Sequence, residues 1–331
     1  MTLAAMTEKN LPGLAENDVK SGVTADQRVL VTVVIATYNH VQFIAAAIDS
    51  VLAQGTQFPF EIIISEDAST DGTRAIVENY AARFPDRIRL MLSEKNLHST
   101  ETIARGIRAA RGEYVALLDG DDCWLKADKL QRQADFLSDN PDHAAHFFNA
   151  RIANGTELTE KLWTPTTQAR SIDLAEIWHG NPYATAAGMM RTAAIRHVPD
   201  WYHGLFLTDW PLYILCAITG RLAFDPEAVA LYRLHDGGVY SSLTEAKKLA
   251  NTYVFLTRMN NCLDRRFNQM ARAGCTRLFH DWAIAYLDDG QIGLAWKSLG
   301  YSLRGGGVGL SVSWRQSLRL FLRILKMSVT R

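Results

Sequence analysis

The sequence predicts an α/β fold in which a mostly parallel sheet is covered by helices on both faces. Four short apolar runs, rich in β-branched residues, have the length of buried strands: residues 30–35, 60–64, 88–92 and 113–118. Apolar residues at helical spacing follow each of the first three runs. Strands that alternate with single helices form right-handed βαβ crossovers, and such crossovers build parallel sheets.

The individual helices follow from spacing. Ile44, Ile48 and Val51 share one face of a helix behind the first strand. The turn at residues 69–72 (STDG) precedes a second helix, and a third passes through residues 103–107.

Beyond the fourth strand the alternation weakens. A helix is predicted near residues 127–138 and a strand at 144–149, followed by loops rich in Trp and Gly. Residues 245–331 are predicted to be mainly helical, with a break at the glycine-rich segment 304–309. Residues 1–28 lack sustained periodicity, which indicates a loose N-terminal extension.

Charge and targeting signals exclude several classes of protein. The chain has 35 Lys+Arg and 35 Asp+Glu in 331 residues, so no bulk positive charge favours nucleic acid as a partner. No basic segment followed by an apolar run begins the sequence, and no 18 consecutive residues are apolar. Its four cysteines are far apart, as expected of free thiols in a reducing compartment. These features favour a cytoplasmic protein.

Polar residues follow three of the predicted strands. Ligands of open parallel sheets bind outside the carboxyl ends of the strands, so these residues are candidates for chemistry: residues 37–39 (TYN), 66–67 (ED) and 119–122 (DGDD). The chain has neither a G-x-G-x-x-G motif nor a G-K-[ST] motif, which removes the main support for a dinucleotide dehydrogenase or a P-loop enzyme.

Four carboxylates at this edge would repel one another: Asp67, Asp119, Asp121 and Asp122. Two like charges ~4 Å apart cost about 4 kcal/mol at an effective dielectric constant of ~20, so a cation or a proton is expected there. Carboxylate oxygens select Mg²⁺ or Mn²⁺, and such an ion completes its ligand shell with substrate phosphates. The alternative is that Asp119 and Asp121 form a turn and cap a helix.

Four segments together resemble the family-2 glycosyltransferases: residues 32–39 (TVVIATYN), 50–54 (SVLAQ), 61–73 (EIIISEDASTDGT) and 112–122 (GEYVALLDGDD). The resemblance implies a GT-A fold and an inverting transfer of a sugar from a nucleoside diphosphate donor. It extends over residues 29–240, which divide into a nucleotide half at 29–125 and an acceptor half at 126–240. Residues 241–331 then form a helical C-terminal region with a basic amphipathic end.

The resemblance assigns nucleotide binding to five positions: Ala36, Thr37, Tyr38, Asp67 and Asp119. It implies that the ring of Tyr38 packs on the base, that the strand end offers backbone contacts, and that Asp67 bonds the base or ribose. Asp119 faces the ribose or the metal, and Asp121 is the metal ligand. Glu66 departs from the family, in which Asp is commoner at that position.

Two later segments resemble the family more weakly. Residues 207–212 (LTDWPL) imply that Asp209 is the general base, and the alternative is a residue that caps a helix ahead of Trp210. Residues 231–241 (LYRLHDGGVYS) imply that His235 reaches the metal or the diphosphate and that Arg233 binds the diphosphate. A loop histidine bonded to the backbone is the alternative for His235.

The sequence thus favours a glycosyltransferase that uses a UDP-sugar and Mg²⁺ or Mn²⁺. The resemblance implies a glycan or a lipid-linked acceptor, in cell-surface polysaccharide or lipopolysaccharide synthesis. One rival is a nucleotidyltransferase, which would carry a Gly-rich basic loop where this chain has residues 37–40 (TYNH). The other is a non-catalytic protein that binds nucleotide sugars, against which the acidic cluster and Asp209 argue.

The C-terminal segment 314–327 is a basic amphipathic helix. Four cations recur along one stripe, Arg315, Arg319, Arg323 and Lys326, and apolar side chains fill much of the opposite side, Trp314, Leu318, Phe321, Leu322 and Leu325. Such a helix can lie in the surface of an anionic bilayer, which would make the protein peripheral on the inner face of the cell membrane. Alternatively, it docks its apolar side on the catalytic domain and leaves the cations in water.

Overall fold

The computed structural model of the protein describes residues 28–329. Residues 1–27 of the predicted N-terminal extension lie outside the described residues.

The described residues contain one extended sheet of ten strands. Their bounds are β1 Val31–Thr37, β2 Phe60–Glu66, β3 Ile88–Leu92, β4 Tyr114–Asp119, β5 Cys123–Trp124, β6 His143–Asn154, β7 Glu157–Leu162, β8 Arg170–Ile172, β9 Gly188–Arg191 and β10 Arg221–Leu234. The strand order is β3-β2-β1-β4-β9-β6-β10-β5, with β7 paired to β6 and β8 paired to β10.

Eleven α-helices accompany these strands over residues 28–329. Their bounds are α1 Ile44–Leu52, α2 Thr73–Arg83, α3 Ser99–Ala109, α4 Lys129–Asp139, α5 Leu174–Trp178, α6 Thr192–Ile195, α7 Asp209–Thr219, α8 Glu245–Cys262, α9 Asn268–Asp288, α10 Ile292–Arg304 and α11 Trp314–Val329. None of the helices in this part of the chain combines the length and the apolar character needed to cross a membrane.

The sheet has a parallel half and a mixed half. Strands β3, β2, β1 and β4 are parallel neighbours, and Val33, Ile62 and Ala116 at their centre are completely buried. Strands β9, β6, β10 and β5 mix both orientations. Parallel pairing brings the carboxyl ends of β1, β2 and β4 to one edge, so the loops that follow these strands meet there.

The chain divides into two compact units. The first comprises the residues up to Asp173 together with Pro182–Gly204 and Thr208–Ser242, and it contains the sheet. The second comprises Leu174–Asn181, Leu205–Leu207 and the residues from Leu243 onward. In the second unit α9 and α10 lie against each other, and the Ser302 hydroxyl of α10 donates a 2.8 Å hydrogen bond to the carbonyl of Thr276 in α9.

The predicted fold class is confirmed, and the four predicted strands and the helices behind them are present. The mainly helical C-terminal region and the break after Arg304 are also present. Strand β10 was not predicted. Its 14 residues pair with β6 through several register shifts, around a segment that contains Asp225, Pro226 and Glu227. These residues interrupt the apolar pattern that identifies a strand in sequence.

Candidate active site

The loop after β4 lies directly beside the loop after β1. Asp119 pairs with Ala36 in the sheet, and the N–H of Gly120 donates a 2.8 Å hydrogen bond to the carbonyl of Ala36. A Cβ atom on Gly120 would lie 2.6 Å from Oγ1 of Thr37 and 2.8 Å from Nδ1 of His40. Glycine at position 120 therefore allows the acidic loop to approach the residues that follow β1.

Asp121 lies between two histidines that are far apart in the sequence. Its Oδ2 is 3.0 Å from Nε2 of His235, which directly follows β10, and 3.7 Å from Nε2 of His40. Burial alone would raise the pKa of Asp121, but the hydrogen bond with His235 and the charge of His40 outweigh it and lower that pKa. The same hydrogen bond raises the pKa of His235, whereas burial lowers that of His40. The arrangement favours an ionised carboxylate at position 121.

Arg233 fixes the acidic loop from inside the protein. Its guanidinium donates to the carbonyl of Asp121 and lies 5.1 Å from the centre of the Phe43 ring, and only 4% of the residue is exposed. Its backbone N–H donates a 2.9 Å hydrogen bond to Oδ1 of Asp122. This placement favours a role in positioning the loop. The diphosphate contact that the resemblance implied for Arg233 stays a prediction.

The carboxyl groups of Asp119 and Asp122 have a different environment from that of Asp121. Burial and the neighbouring charges of Asp121 and Asp209 raise the pKa of Asp119 to about 8. Burial, followed by the charges of Asp121 and Asp119, raises the pKa of Asp122 well above its ordinary value. One buried oxygen of Asp122, Oδ2, has no hydrogen-bond partner among the described residues. Carboxyl groups are therefore crowded at this edge, as the sequence predicted, and the raised pKa values favour protons on Asp119 and Asp122.

Asp209 is the first residue of α7 and is half-buried. Its Oδ1 accepts a 2.6 Å hydrogen bond from the N–H of Trp210, but the N-cap residue of α7 is Thr208, so Asp209 lies inside the helix rather than at its cap. Its Oδ2 accepts a 3.2 Å hydrogen bond from the hydroxyl of Thr185. Because its charge also raises the pKa of Asp119, the structure brings Asp209 close to the acidic loop.

The residues predicted to bind the nucleotide lie on the loops after β1 and β2. Tyr38 is 40% exposed at the end of β1. Asn39 has a left-handed backbone, with φ of 55°, and its N–H donates a 2.9 Å hydrogen bond to the hydroxyl of Ser69 in the neighbouring loop. Asp67 is buried, and its Oδ1 accepts a 2.7 Å hydrogen bond from the N–H of Leu97.

Glu66 and two arginines stabilise these loops. The carboxylate of Glu66 accepts a 2.8 Å hydrogen bond from Nε of Arg74 and another, of 2.5 Å, from the N–H of Ser69. The guanidinium of Arg105 donates to the carbonyls of Glu66 and Met91, both at 2.8 Å. Glu66 thus stabilises the turn that follows Asp67. Its side chain is one methylene longer than that of Asp, which suits it to reach the N–H of Ser69 and the guanidinium of Arg74.

The donor set suits a divalent cation only in part. Asp121 offers a carboxylate and His235 an imidazole nitrogen, and both side chains are about 15% exposed. Within residues 28–329 there is no group of three or more His, Cys, Asp or Glu side chains arranged to hold a metal ion. The crowded carboxylates still favour a cation, so the residues fit an ion that takes its other ligands from a bound phosphate.

Together the structure collects Asp119, Asp121, Asp209 and His235 at one edge of the sheet, with Ala36, Thr37, Tyr38 and Asp67 on the adjacent strand ends. Sequence reasoning did not identify His40 or Thr185 as residues of the site. His40 directly follows the polar run after β1, and this position was the available signal.

Comparisons with known proteins give the family and the fold. Residues 32–198 match the family described as Glycosyl transferase family 2. An uncharacterized protein of Mycobacterium tuberculosis is 32% identical over 222 residues, which are 67% of this chain and 64% of the relative's length. The putative teichuronic acid biosynthesis glycosyltransferase TuaG of Bacillus subtilis is 38% identical over 138 residues, which are 41% of this chain and 53% of TuaG.

Among solved structures, residues 1–349 of TarS from S. aureus, in complex with UDP-GlcNAc, superimpose with a TM-score of 0.64. The match covers 90% of this chain and 89% of the TarS chain at 19% identity, and it supports the fold.

Proposed function

The chain belongs to glycosyl transferase family 2, and on that premise we propose that it transfers a sugar from a nucleoside diphosphate donor to a hydroxyl group, with inversion. The observation that carries the proposal is the meeting of Asp121 and His235, 3.0 Å apart, beside Asp119 and Asp209. These residues come from three separate elements of the unit that contains the sheet: the end of β4, the end of β10 and the start of α7. Their convergence at the carboxyl edge is what a donor with a charged diphosphate requires.

Cleavage of the donor places negative charge on the leaving nucleoside diphosphate. A Mg²⁺ or Mn²⁺ ion held by Asp121 and His235 would neutralise that charge, with diphosphate oxygens among its ligands. Arg233 keeps the backbone of Asp121 in place through its guanidinium. His40 supports the same carboxylate from the side of β1. The role of these two residues is to orient Asp121.

Asp209 is the proposed general base. It accepts the proton of the acceptor hydroxyl as that oxygen attacks the anomeric carbon from the face opposite the leaving group. The hydroxyl of Thr185 orients its Oδ2, and the N–H of Trp210 orients its Oδ1. A single displacement of this kind inverts the anomeric centre.

The nucleotide is proposed to lie over the ends of β1, β2 and β4. The exposed ring of Tyr38 offers an apolar face for the base. Asp67 and the backbone of Ala36 and Thr37 lie at the same strand ends. Asp119, whose pKa is about 8, can donate or accept a hydrogen bond to a ribose hydroxyl.

The donor and acceptor classes rest on the relatives. TarS was crystallised with UDP-GlcNAc, which favours a UDP-sugar as donor. The name of TuaG supports a polysaccharide pathway and hence a glycan or lipid-linked acceptor. We propose a cytoplasmic site of action, since the four cysteines are free thiols, as expected in a reducing compartment.

A donor panel tests the proposal. UDP-, GDP- and dTDP-sugars are incubated with the protein, with and without Mn²⁺, and release of the nucleoside diphosphate is measured. We expect hydrolysis of a UDP-sugar that depends on Mn²⁺ and is lost in Asp121→Asn. Asp86→Asn is the matched control, because exposed Asp86 precedes β3 and therefore lies at the opposite edge of the sheet. UDP binding without turnover of any sugar would instead favour a non-catalytic nucleotide-sugar binding protein.

A further inference from the structure

The last described helix, α11, presents three different faces. Successive residues of an α-helix are rotated by about 100°, so side chains three or four positions apart share a face. One face packs on the rest of the helical unit, and its members are the buried residues Ser317, Leu320 and Ile324. This face is narrow. The apolar side chains of α11 therefore cannot all be covered by the docking of the helix.

A second face is apolar and exposed. Its large side chains are Trp314, Leu318, Phe321, Leu322 and Leu325, with exposed fractions from 40% for Phe321 to 69% for Trp314. Of the fourteen large hydrophobic residues that are exposed within residues 28–329, eight lie between residues 303 and 329. The concentration of exposed apolar residues in so short a segment marks a contact surface rather than ordinary surface variation.

The third face is basic and borders the apolar one. It carries Arg315, Arg319, Arg323 and Lys326, of which Arg323 forms a 3.0 Å ion pair with Asp288 of α9. The sequence has no acidic residue after Asp289. The positive charge beside the exposed apolar face is therefore largely uncompensated by the segment that carries it.

We propose that α11 binds the surface of an anionic lipid bilayer, with its axis in the membrane plane. The exposed apolar side chains would enter the boundary between headgroups and acyl chains, and the neighbouring cations would contact the anionic headgroups. Trp314 is suited to this depth, because its ring is apolar and its N–H is polar. A second copy of the chain fits less well, since a two-fold contact through this surface would bring two identical basic faces together.

Vesicle flotation with the full chain tests the proposal. We expect the protein to float with phosphatidylcholine vesicles that contain phosphatidylglycerol, and binding should weaken with added salt and with pure phosphatidylcholine. The triple variant Arg315→Gln/Arg319→Gln/Lys326→Gln should lower the partition coefficient about 100-fold, since each cation near an anionic surface contributes about a factor of five. The matched control, Lys247→Gln/Arg265→Gln/Arg266→Gln, removes three exposed cations of the same unit and should float like the wild type.

A second variant tests the apolar face. Leu318→Ser/Leu322→Ser/Leu325→Ser changes exposed positions and keeps the docked residues, so its thermal unfolding should match that of the wild type. We expect it to lose vesicle binding as well. The proposal would be overturned by equal flotation of the wild type and both triple variants. It would also be overturned if the wild type were a dimer that the leucine variant converts to a monomer while neither binds vesicles.

Discussion

Two clusters of buried ionisable side chains lie in the sheet unit, one at the carboxyl edge and one in the interior. At the edge, Asp119, Asp121 and Asp209 come together with His235. In the interior, Nζ of Lys129 donates a 2.7 Å hydrogen bond to Oε1 of Gln133 and lies 4.3 Å from the centre of the Trp124 ring. Near it, the ring of His146 packs against two phenylalanines, with centroid distances of 4.4 Å and 4.8 Å.

Burial favours the neutral form of the ionisable groups in both clusters, and Asp121 at the edge departs from this pattern. Burial lowers the pKa of Lys129 well below its ordinary value and that of His146 to about 3, so both interior groups favour their neutral forms. At the edge, like charges crowd together and Asp121 nevertheless stays ionised through its histidine partner. A buried ionisable group thus indicates a functional site when it is kept charged at a place open to ligands, and burial alone does not.

The largest effect is expected from Asp209→Asn. The amide keeps the size of the side chain and can still accept the N–H of Trp210, but it cannot take a proton from the acceptor. We expect kcat to fall by about 10² to 10⁴ with unchanged donor affinity, the usual loss for a positioned general base. Steady-state kinetics and calorimetry with UDP separate the two quantities. Unchanged turnover would move the base elsewhere, with Asp236 the next carboxylate to test.

The second prediction compares two histidine variants, one from each cluster, by their affinity for UDP. His40→Gln removes the imidazole whose Nε2 lies 3.7 Å from Oδ2 of Asp121, and we expect the affinity for UDP in the presence of Mn²⁺ to fall about 10- to 100-fold. His146→Gln changes a buried histidine of the interior and should leave that affinity unchanged. The measurement is UDP titration by calorimetry. Equal losses in both variants would show that the effect is one of general destabilisation.

The interior cluster predicts a pH dependence of stability. Because the pKa of His146 is about 3 in the folded protein and 6.5 ordinarily, only the unfolded chain takes up this proton between those pH values. The folded state therefore loses stability as the pH falls below 6.5, by about 2 kcal/mol at pH 5. His146→Leu should lose correspondingly less between pH 7 and pH 5, measured by urea unfolding. An equal loss in both proteins would mean that His146 is protonated in the fold.

The smallest expected effect is that of Lys129→Met. Met has a similar volume and no charge to bury, so we expect the free energy of unfolding at pH 7 to rise by about 1 kcal/mol. The difference should grow as the pH falls, because the depressed pKa of Lys129 opposes folding below its ordinary value of 10.5. Urea unfolding measures it. A lower free energy of unfolding in Lys129→Met than in the wild type would show that Lys129 stabilises the fold.

The parallel half of the sheet was predictable because its strands are buried on both faces and read as unbroken apolar runs. The residues Asp119, Asp121, Asp209 and His235 were identified from motifs, and the fold explains why they meet. For His40, the sequence shows a position directly after the polar run that follows β1, but not a contact with Asp121. The approach of His40 to Asp121 depends on the left-handed backbone of Asn39, which is a local feature, and on the pairing of β1 with β4, which is a tertiary one.

For Arg233 and α11, the sequence predicted the residues of interest but not which groups they contact. The sequence places an arginine two residues before His235, but the pairing of β10 directs its guanidinium inward, to the carbonyl of Asp121. For α11, periodicity predicted one apolar and one basic side. Which apolar residues would be covered depends on its contact with the preceding helices, and the structure leaves most of the large ones exposed.

The central claim is that Asp121 and His235 hold a divalent cation together with the donor diphosphate. Electron paramagnetic resonance of free Mn²⁺ during titration with the full-length protein tests it most directly, with and without UDP. We predict one bound Mn²⁺ per chain when UDP is present, much weaker binding without UDP, and none in Asp121→Asn, while Asp86→Asn binds like the wild type. Equally tight Mn²⁺ binding by Asp121→Asn in the presence of UDP would contradict the account.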